Sequence, residues 1–410
     1  MKIICTFLLF IILFICLNQA VAENYKQTNG NISPEKDSNM KTQVAANNDF
    51  AFSLYSKLNN SQKASNLFFS PYSISTALAM VYAGAGGETK KQMAETLHFT
   101  LSNDNLHRIF GDLQRELIGG DKSDYQLLLA NALWCQKGEP FLKEFLDLIQ
   151  SYYGAAVKQL DFVKEAEQSR KTINLWVEGK TNNKIKDIIP SGGINEDVKI
   201  VLTNTIYFKG EWENKFAKEF TTLGEFNIDA KRTVKVNMMY MQGMNKFYED
   251  DKLQVLELPY KEEISMLLIL SRDIEGIKEI DNILSANILK TFENKLKKEE
   301  IEIYLPKFKI TWGIFSLNKA LIDLGMTDAF TPKADFSGIN GKGDLWISDV
   351  YHKAFIEVNE EGTEAGAGTA AILVASISPV FRADHPFIFI IKDNRSGSIL
   401  FIGRLMNPAE

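Results

Sequence analysis

The sequence predicts an α+β fold in one large domain, because helical patterns dominate its first half and strand patterns its second. Apolar residues recur at helical spacing in three segments, 50–58, 141–149 and 173–178. β-Branched or alternating residues mark four later segments as strands, 198–208, 233–239, 253–258 and 301–305. Two closing apolar runs, 387–391 and 398–403, bracket a polar turn and predict a buried hairpin. Helices and strands do not alternate regularly, which favours α+β over a parallel α/β sheet.

Composition is that of an ordinary globular protein and excludes several classes of partner. The 410 residues are 45% hydrophobic and 24% charged, with a net charge of -6. No long basic run occurs, so we expect no nucleic-acid partner. No linker, repeat or low-complexity tract interrupts the chain after Phe50, which indicates a single domain from residue 49 to 410.

The N-terminal 48 residues are expected to lie outside this domain. An apolar run from Ile3 to Leu17 precedes the small residues Ala20 and Ala22, a pattern typical of a secretory signal peptide. About fifteen apolar residues are too few for a membrane-spanning helix, and Ile15 argues against a lipid anchor on the next residue, Cys16. We therefore expect a signal peptide at 1–22, cleavage after Ala22, secretion without membrane attachment, and a flexible polar tail at 23–48.

Local signatures of an enzyme are missing from the sequence. The four histidines do not fall in a metal-protease pattern, and no nucleophile elbow, P-loop or dinucleotide fingerprint occurs. The sequence thus predicts a protein that is not an enzyme and uses no cofactor and no metal. Cys135 lies in an apolar run, which favours a buried strand position over a reactive thiol.

The segment from Glu360 to Pro379 is unusual because it suits both a loop and a buried strand. Its alternate residues form two sets that would face opposite sides of a sheet. The residues of one set are all uncharged, and all but the last are small: Thr363, Ala365, Ala367, Thr369, Ala371 and Leu373. The other set carries the only charge: Glu364, Gly366, Gly368, Ala370 and Ile372. Such a segment could change from an exposed loop into a central strand.

This segment closely resembles the hinge of the serpins, and four further stretches resemble other motifs of that family. They run in family order from about Phe50 to Pro408 and comprise 66–89, 203–212, 350–354 and 384–389. The resemblance implies three β-sheets, eight or nine helices and an exposed reactive-centre loop at about 360–383. It also implies hinge residues at Glu361, Gly362, Thr363, Glu364, Ala365, Gly366, Ala367, Gly368 and Thr369.

The resemblance implies a suicide inhibitor of a serine protease. The protease would attack the loop, form a covalent 1:1 acyl-enzyme complex with a monomeric inhibitor, and be carried along as the cut loop enters the central sheet. Further residues would control the separation of the strands. Ser70, Ser73, Asn204 and His352 would lie under the sheet, and Trp212 would lie near the breach, the end of the sheet where the hinge enters. Gly366 and Gly368 replace alanines common in inhibitory hinges, yet no bulky residue, charge or proline interrupts the inward set.

The bond that the protease cuts is either Ala375–Ser376 or Ser376–Ile377, depending on whether one counts from Pro386 or from Gly362. Both readings place small residues before the cut, which suits the shallow specificity pocket of elastase-like or some subtilisin-like proteases. A trypsin-like pocket would leave its carboxylate unpaired. Two other readings stay open: a non-inhibitory serpin that acts as a binding or carrier protein, and an unrelated enzyme.

Overall fold

The computed structural model describes residues 34–62, 64–118, 125–261, 263–313, 316–363 and 378–410. Within these ranges the chain forms ten α-helices: α1 Pro34–Ser61, α2 Pro71–Tyr82, α3 Gly87–Thr96, α4 Asn103–Ile118, α5 Lys143–Tyr153, α6 Ala166–Lys180, α7 Ile277–Ile283, α8 Ala286–Lys295, α9 Asn318–Asp323 and α10 Ser337–Asn340. The same residues also contain two short 3₁₀ helices, at Lys218–Phe220 and Asp328–Phe330.

The strands in the same residues number fifteen and pair into two sheets. They are β1 Leu67–Phe69, β2 Tyr125–Gln136, β3 Ala156–Leu160, β4 Ile200–Glu211, β5 Thr222–Asn227, β6 Thr233–Glu249, β7 Leu253–Pro259, β8 Ile264–Ser271, β9 Lys297–Pro306, β10 Phe308–Trp312, β11 Ile347–Val358, β12 Gly362–Thr363, β13 Val380–Arg382, β14 Phe387–Asp393 and β15 Ile399–Leu405. The predicted α+β class and the C-terminal hairpin, β14 with β15, are confirmed.

The larger sheet joins what the family resemblance counts as two separate sheets. Its strand order is β1-β15-β14-β8-β7-β6-β9-β13, with β5 paired to β6. Strand β6 is 17 residues long, so its first part pairs with β5, its middle and later part with β9, and its last four residues with β7. One strand therefore makes the pairing continuous, and the strands of the described residues form two sheets where three were expected.

The smaller sheet has the order β10-β11-β4-β2-β3, and β12 pairs with the end of β4. Its central neighbours β4 and β11 are parallel, although 135 residues separate the end of one from the start of the other, whereas β2 and β4 are antiparallel. One face of this sheet packs on the main core, which includes the fully buried helix α2. The other face packs on α6 and the segment after it through a second apolar cluster.

The polar composition of residues 23–48 predicted a flexible tail, but the structure places residues 34–48 in helix α1. This helix continues to Ser61 and buries Met40, Val44 and Phe50 against the main core. Tertiary packing of a few apolar side chains, which composition does not report, stabilises this helix. Cys135 is buried in β2 as expected, and burial raises the pKa of its thiol.

Candidate functional site

The candidate site lies where the predicted hinge meets the central pair of the smaller sheet. Strands β4 and β11 pair from Ile200 opposite Ile347 up to Tyr207 opposite Phe355. Beyond that point β12 pairs with β4 in antiparallel register, Gly362 opposite Glu211 and Thr363 opposite Gly210. The first two residues after the turn thus already occupy the start of a strand position between β11 and β4.

Gly362 is required at this entry by its conformation and its surroundings. Its φ is +133°, a value that L-residues with side chains rarely adopt. A Cβ atom there would lie 2.2 Å from the carbonyl oxygen of Gly210. The close approach of two backbones at the start of the ladder explains why glycine precedes the small residues of the hinge.

Trp212 anchors the turn that leads into β12. Its indole Nε1 donates a hydrogen bond to the carbonyl of Asn359 at 3.0 Å, and its backbone N–H donates to the carbonyl of Glu361 at 3.0 Å. The indole is buried and stacks on Tyr260 with ring centroids 4.2 Å apart. The tryptophan predicted at the breach therefore holds the first hinge residue, Glu361, and the residue two positions before it.

Two buried glutamates at the turn are each held by lysines from other elements. Glu360 pairs with Lys307 at 2.8 Å, and Glu361 pairs with Lys218 at 2.8 Å and Lys215 at 3.2 Å. Burial alone would raise the pKa of each carboxyl, but the lysine contacts outweigh it and hold the pKa of both below the usual range. Both carboxylates are ionised at neutral pH and fix the base of the hinge.

A row of polar side chains crosses the middle of the smaller sheet. Asn131 on β2, Asn204 on β4 and His352 on β11 are directly opposite one another in register. Asn204 Nδ2 donates to Asn131 Oδ1 and to the carbonyl of Ser73 at 2.9 Å, as well as to the Ser73 hydroxyl. All of these side chains are buried, so their hydrogen bonds to one another replace water.

His352 is neutral and its tautomer follows from its partners. The backbone N–H of Ser70 donates to Nε2 at 3.2 Å, so Nδ1 carries the proton and donates to Asn204 Oδ1 at 2.5 Å. Burial lowers the pKa of His352 to about 3, against a smaller opposing effect of a hydrogen bond at Asn204. The Ser70 hydroxyl accepts from the N–H of Ser73 and so caps helix α2 beneath the row.

Four of the predicted control residues, Ser70, Ser73, Asn204 and His352, come together in this polar row, whereas Trp212 lies at the far end of β4. Trp212 follows Asn204 by eight positions along the chain, or about 26 Å of extended strand. The predicted hinge residues Glu364, Ala365, Gly366, Ala367, Gly368 and Thr369, and the bait residues Ala375, Ser376 and Ile377, lie outside the described residues.

Sequence reasoning missed Asn131 and the lysines that hold the two glutamates. A single amide inside the apolar run of β2 was a signal for Asn131, since a buried polar side chain needs a partner. The lysines gave no local signal, because Lys215, Lys218 and Lys307 reach the turn from distant parts of the chain.

The described part of the chain holds neither a metal-binding cluster nor a membrane-spanning helix. There, no three histidine, cysteine or carboxylate side chains lie close enough to share a metal ion. In the same residues, no helix combines the length and the apolar character needed to cross a membrane.

The family model described as Serpin (serine protease inhibitor) matches residues 45–408. This chain therefore belongs to the serpin family, a family of serine protease inhibitors rather than of enzymes. It is 43% identical over 382 residues to the human leukocyte elastase inhibitor and 42% identical over 384 residues to leukocyte elastase inhibitor A of Rattus norvegicus. Each alignment covers 90% of this chain and 100% of the relative.

Solved structures of the same family share the fold. Human thyroxine-binding globulin, solved in complex with thyroxine, has a TM-score of 0.84 and 30% identity over 91% of this chain and 100% of its own. Serpin48 of the insect Tenebrio molitor, described as a highly specific serpin, has a TM-score of 0.81 and 32% identity over 92% of this chain and 100% of its own.

The prediction of secretion through a signal peptide at 1–22 is wrong. Leukocyte elastase inhibitors, the relatives matched here, are intracellular serpins without signal peptides. The prediction failed because an apolar run of about fifteen residues is a property of composition, and buried or interfacial segments share it. Residues 1–33 lie outside the described residues.

Proposed function

We propose that this serpin inhibits elastase-like or subtilisin-like serine proteases by covalent trapping. The protease serine attacks the loop at Ala375–Ser376 or Ser376–Ile377 and becomes acylated by the N-terminal side of the cut. That side then enters the smaller sheet as a new strand between β4 and β11, before water can hydrolyse the ester. The product is a 1:1 complex of a monomeric inhibitor with its protease.

The observation that carries this proposal is the register of β12 on β4. Continuing the same antiparallel ladder would bring each following hinge residue opposite the preceding residue of β4, until Leu373 lies opposite Ile200. The inserted strand would therefore match the full length of β4, and both candidate cleavage sites follow directly after its end. The arm up to Leu373 would therefore fit along the whole of β4, and two or three further residues would lead to the cut.

The same register assigns each face of the inserted strand. Thr363, Ala365 and the following alternate residues would share a face with Phe208, Ile206, Leu202 and Ile200, which belong to the main core. Small side chains suit that crowded face. Glu364, the only charge, would lie opposite Lys209, a partly exposed residue of opposite sign.

Insertion would be strongly favourable because the one hydrogen-bonded ladder between β4 and β11 is replaced by two ladders, one on each side of the new strand. The new strand adds about ten net backbone hydrogen bonds at about 1 kcal/mol each. The sum, about 10 kcal/mol, is comparable with the whole stability of an ordinary domain. The uncut state is accordingly metastable, and the energy released is available to distort the attached protease.

Two observations, the small size of the bait residues and the names of the relatives, support the same class of target protease. Val374, Ala375 and Ser376 are small enough for a shallow primary pocket, and the relatives are named as inhibitors of leukocyte elastase. Both observations favour an elastase-type protease.

Incubation with pancreatic elastase tests the proposal. We expect a complex that survives boiling in SDS, a released peptide that begins at Ser376 or Ile377 by mass spectrometry, and a large rise in melting temperature after cleavage. Cleavage without trapping and without that rise would reject inhibition. It would favour the carrier alternative, for which the fold similarity to human thyroxine-binding globulin is the relevant observation.

A further inference from the structure

We infer that a small anion carrying hydroxyl groups binds in a pocket between helix α6 and the β3 edge of the smaller sheet. The pocket has a volume of about 340 Å³, within the range of small-molecule sites in proteins, roughly 300–1,000 Å³. Residues of α4, α5, β2, β3 and α6 line it. The pocket is separate from the hinge, and the inference does not depend on the proposed inhibition.

The charge of the pocket is opposite in sign to that of the protein. The protein carries a net charge of -6, yet the two charged side chains that line the pocket are lysines, Lys158 on β3 and Lys180 at the end of α6. Within the described part of the chain, neither ammonium group is paired with a carboxylate. Two positive charges without a negative partner attract an anion.

Lys158 is already held at the pocket by two tryptophans. It lies directly opposite Trp134 in the ladder between β2 and β3, and Trp176 of α6 meets Trp134 edge to face with ring centroids 5.4 Å apart. The Lys158 Nζ atom lies 5.5 Å from the centre of the Trp134 ring and 5.4 Å from that of Trp176. These cation–π contacts restrict the lysine. An anion that binds it therefore costs little further side-chain entropy.

Gln114 supplies a hydrogen-bond acceptor that no other described residue uses. Its Nε2 donates to the carbonyl of Tyr153 at 3.1 Å, which fixes the orientation of the amide. Its Oε1 is buried and has no partner among the described residues. Both residues line the pocket. Because a buried acceptor without a donor costs free energy, a bound molecule that offers a hydroxyl at Oε1 gains affinity.

The two features together define the chemical class of the bound molecule. The lysines require an anionic group, and the Gln114 amide requires a donor such as a hydroxyl. Asn131 of the polar row also lines the pocket and adds a second amide. A single sugar that carries a phosphate or a carboxylate has both groups and suits a pocket of this volume.

Calorimetric titration of the full chain at low ionic strength tests the inference with four probes. Glucose 6-phosphate and glucuronate carry both hydroxyls and an anionic group, whereas glucose lacks the charge and inorganic phosphate lacks the sugar hydroxyls. We expect at least one of the two anionic sugars to bind at least tenfold more tightly than glucose and than inorganic phosphate. The comparison of the two anionic sugars shows whether the lysines prefer phosphate or carboxylate.

Variants of the two lysines locate the binding. Lys158→Gln and, independently, Lys180→Gln should each weaken binding of the tighter anionic sugar by about tenfold, because each removes a charge-assisted hydrogen bond. Lys171→Gln is the matched control. It removes the same charge from the same helix at a residue that does not line the pocket, and it should leave the affinity unchanged. Melting temperatures confirm that the three variants are folded.

Saturable binding of an anionic sugar that the two pocket variants weaken and the control does not would support the inference. Equal weakening by all three variants would overturn it, since the sugar would then respond only to the overall charge. Glucose or inorganic phosphate bound as tightly as the anionic sugars would also overturn it, as would a lack of saturable binding of both anionic sugars at millimolar concentrations. None of these results bears on protease trapping, so the proposed inhibition stands or falls separately.

Discussion

At the scale of single residues, the polar row is the feature that the proposed insertion would have to rearrange. His352 Nδ1 donates to Asn204 Oδ1 at 2.5 Å because β11 and β4 are neighbours. A strand inserted between them would move these strands to about 10 Å apart and break that bond. The extended register brings Thr369 opposite Asn204 on one side, and continuing the Asn359–Gly362 bridge brings it opposite His352 on the other.

Thr369→Val should weaken the inserted state while leaving its shape unchanged. A hydroxyl can accept from His352 and donate to Asn204, whereas valine leaves two buried polar groups without partners. We expect the free energy of unfolding of the cleaved form, measured in guanidinium, to fall by about 2 kcal/mol. We also expect a larger fraction of the inhibitor molecules to be cut without trapping a protease. Thr369→Ser keeps the hydroxyl and serves as the control. Equal stability of the valine and serine variants after cleavage would contradict this role.

At the scale of elements, the two-residue strand β12 holds the hinge at the entrance of the sheet. Its backbone pairs with β4, Trp212 holds the preceding turn, and the buried glutamates tie that turn to lysines. The entry point is therefore formed before any protease arrives. In the proposed mechanism, insertion would extend this existing ladder instead of starting a new one.

Gly362→Ala should remove this preformed start. The added Cβ would lie 2.2 Å from the Gly210 carbonyl oxygen at a φ of +133°, so β12 must leave the ladder. We expect slower insertion, so that several molecules of inhibitor are cut for each protease molecule that is trapped. The measurement is the ratio of inhibitor to protease needed for complete inhibition. Gly397→Ala is the control, because Gly397 also has positive φ but no atom within 4 Å of an added Cβ. The prediction fails if the two variants trap protease with equal stoichiometry.

At the scale of the whole molecule, buried neutral histidines link stability to pH. Burial lowers the pKa of His352 to about 3, and burial followed by repulsion from Lys90 lowers the pKa of His107 to about 4. Between pH 6.5 and these values the unfolded chain binds protons that the folded chain does not. The contribution of each histidine is complete above pH 6.5 and is lost as pH falls toward its folded-state pKa.

The free energy of unfolding should therefore fall by about 2 kcal/mol for each of these histidines between pH 6.5 and pH 5. Urea unfolding at the two pH values measures the change, and His352→Gln should reduce the pH dependence by about half. His98→Asn, at an exposed position with positive φ, is the control and should retain the full dependence. A pH dependence that His352→Gln leaves intact would show that His352 is not the titrating group.

The sequence by itself determined the features that repeat locally along the chain. Strand and helix periodicity gave the α+β class, and the alternation of small residues after Gly362 gave a segment able to become a strand. The resemblance to the serpin family identified the motif that contains Ser70 and Ser73. It also identified Asn204 and His352. These signals lie within short stretches, so they need no knowledge of which parts of the chain meet.

Only the tertiary structure decided which distant residues share a site. The register of β2, β4 and β11 places Asn131 in the polar row, and chain folding brings Lys215, Lys218 and Lys307 to the hinge. Packing on the core, not composition, makes residues 34–48 helical, and one long strand joins two expected sheets into one. Such contacts depend on long-range pairing free energies that no local pattern contains.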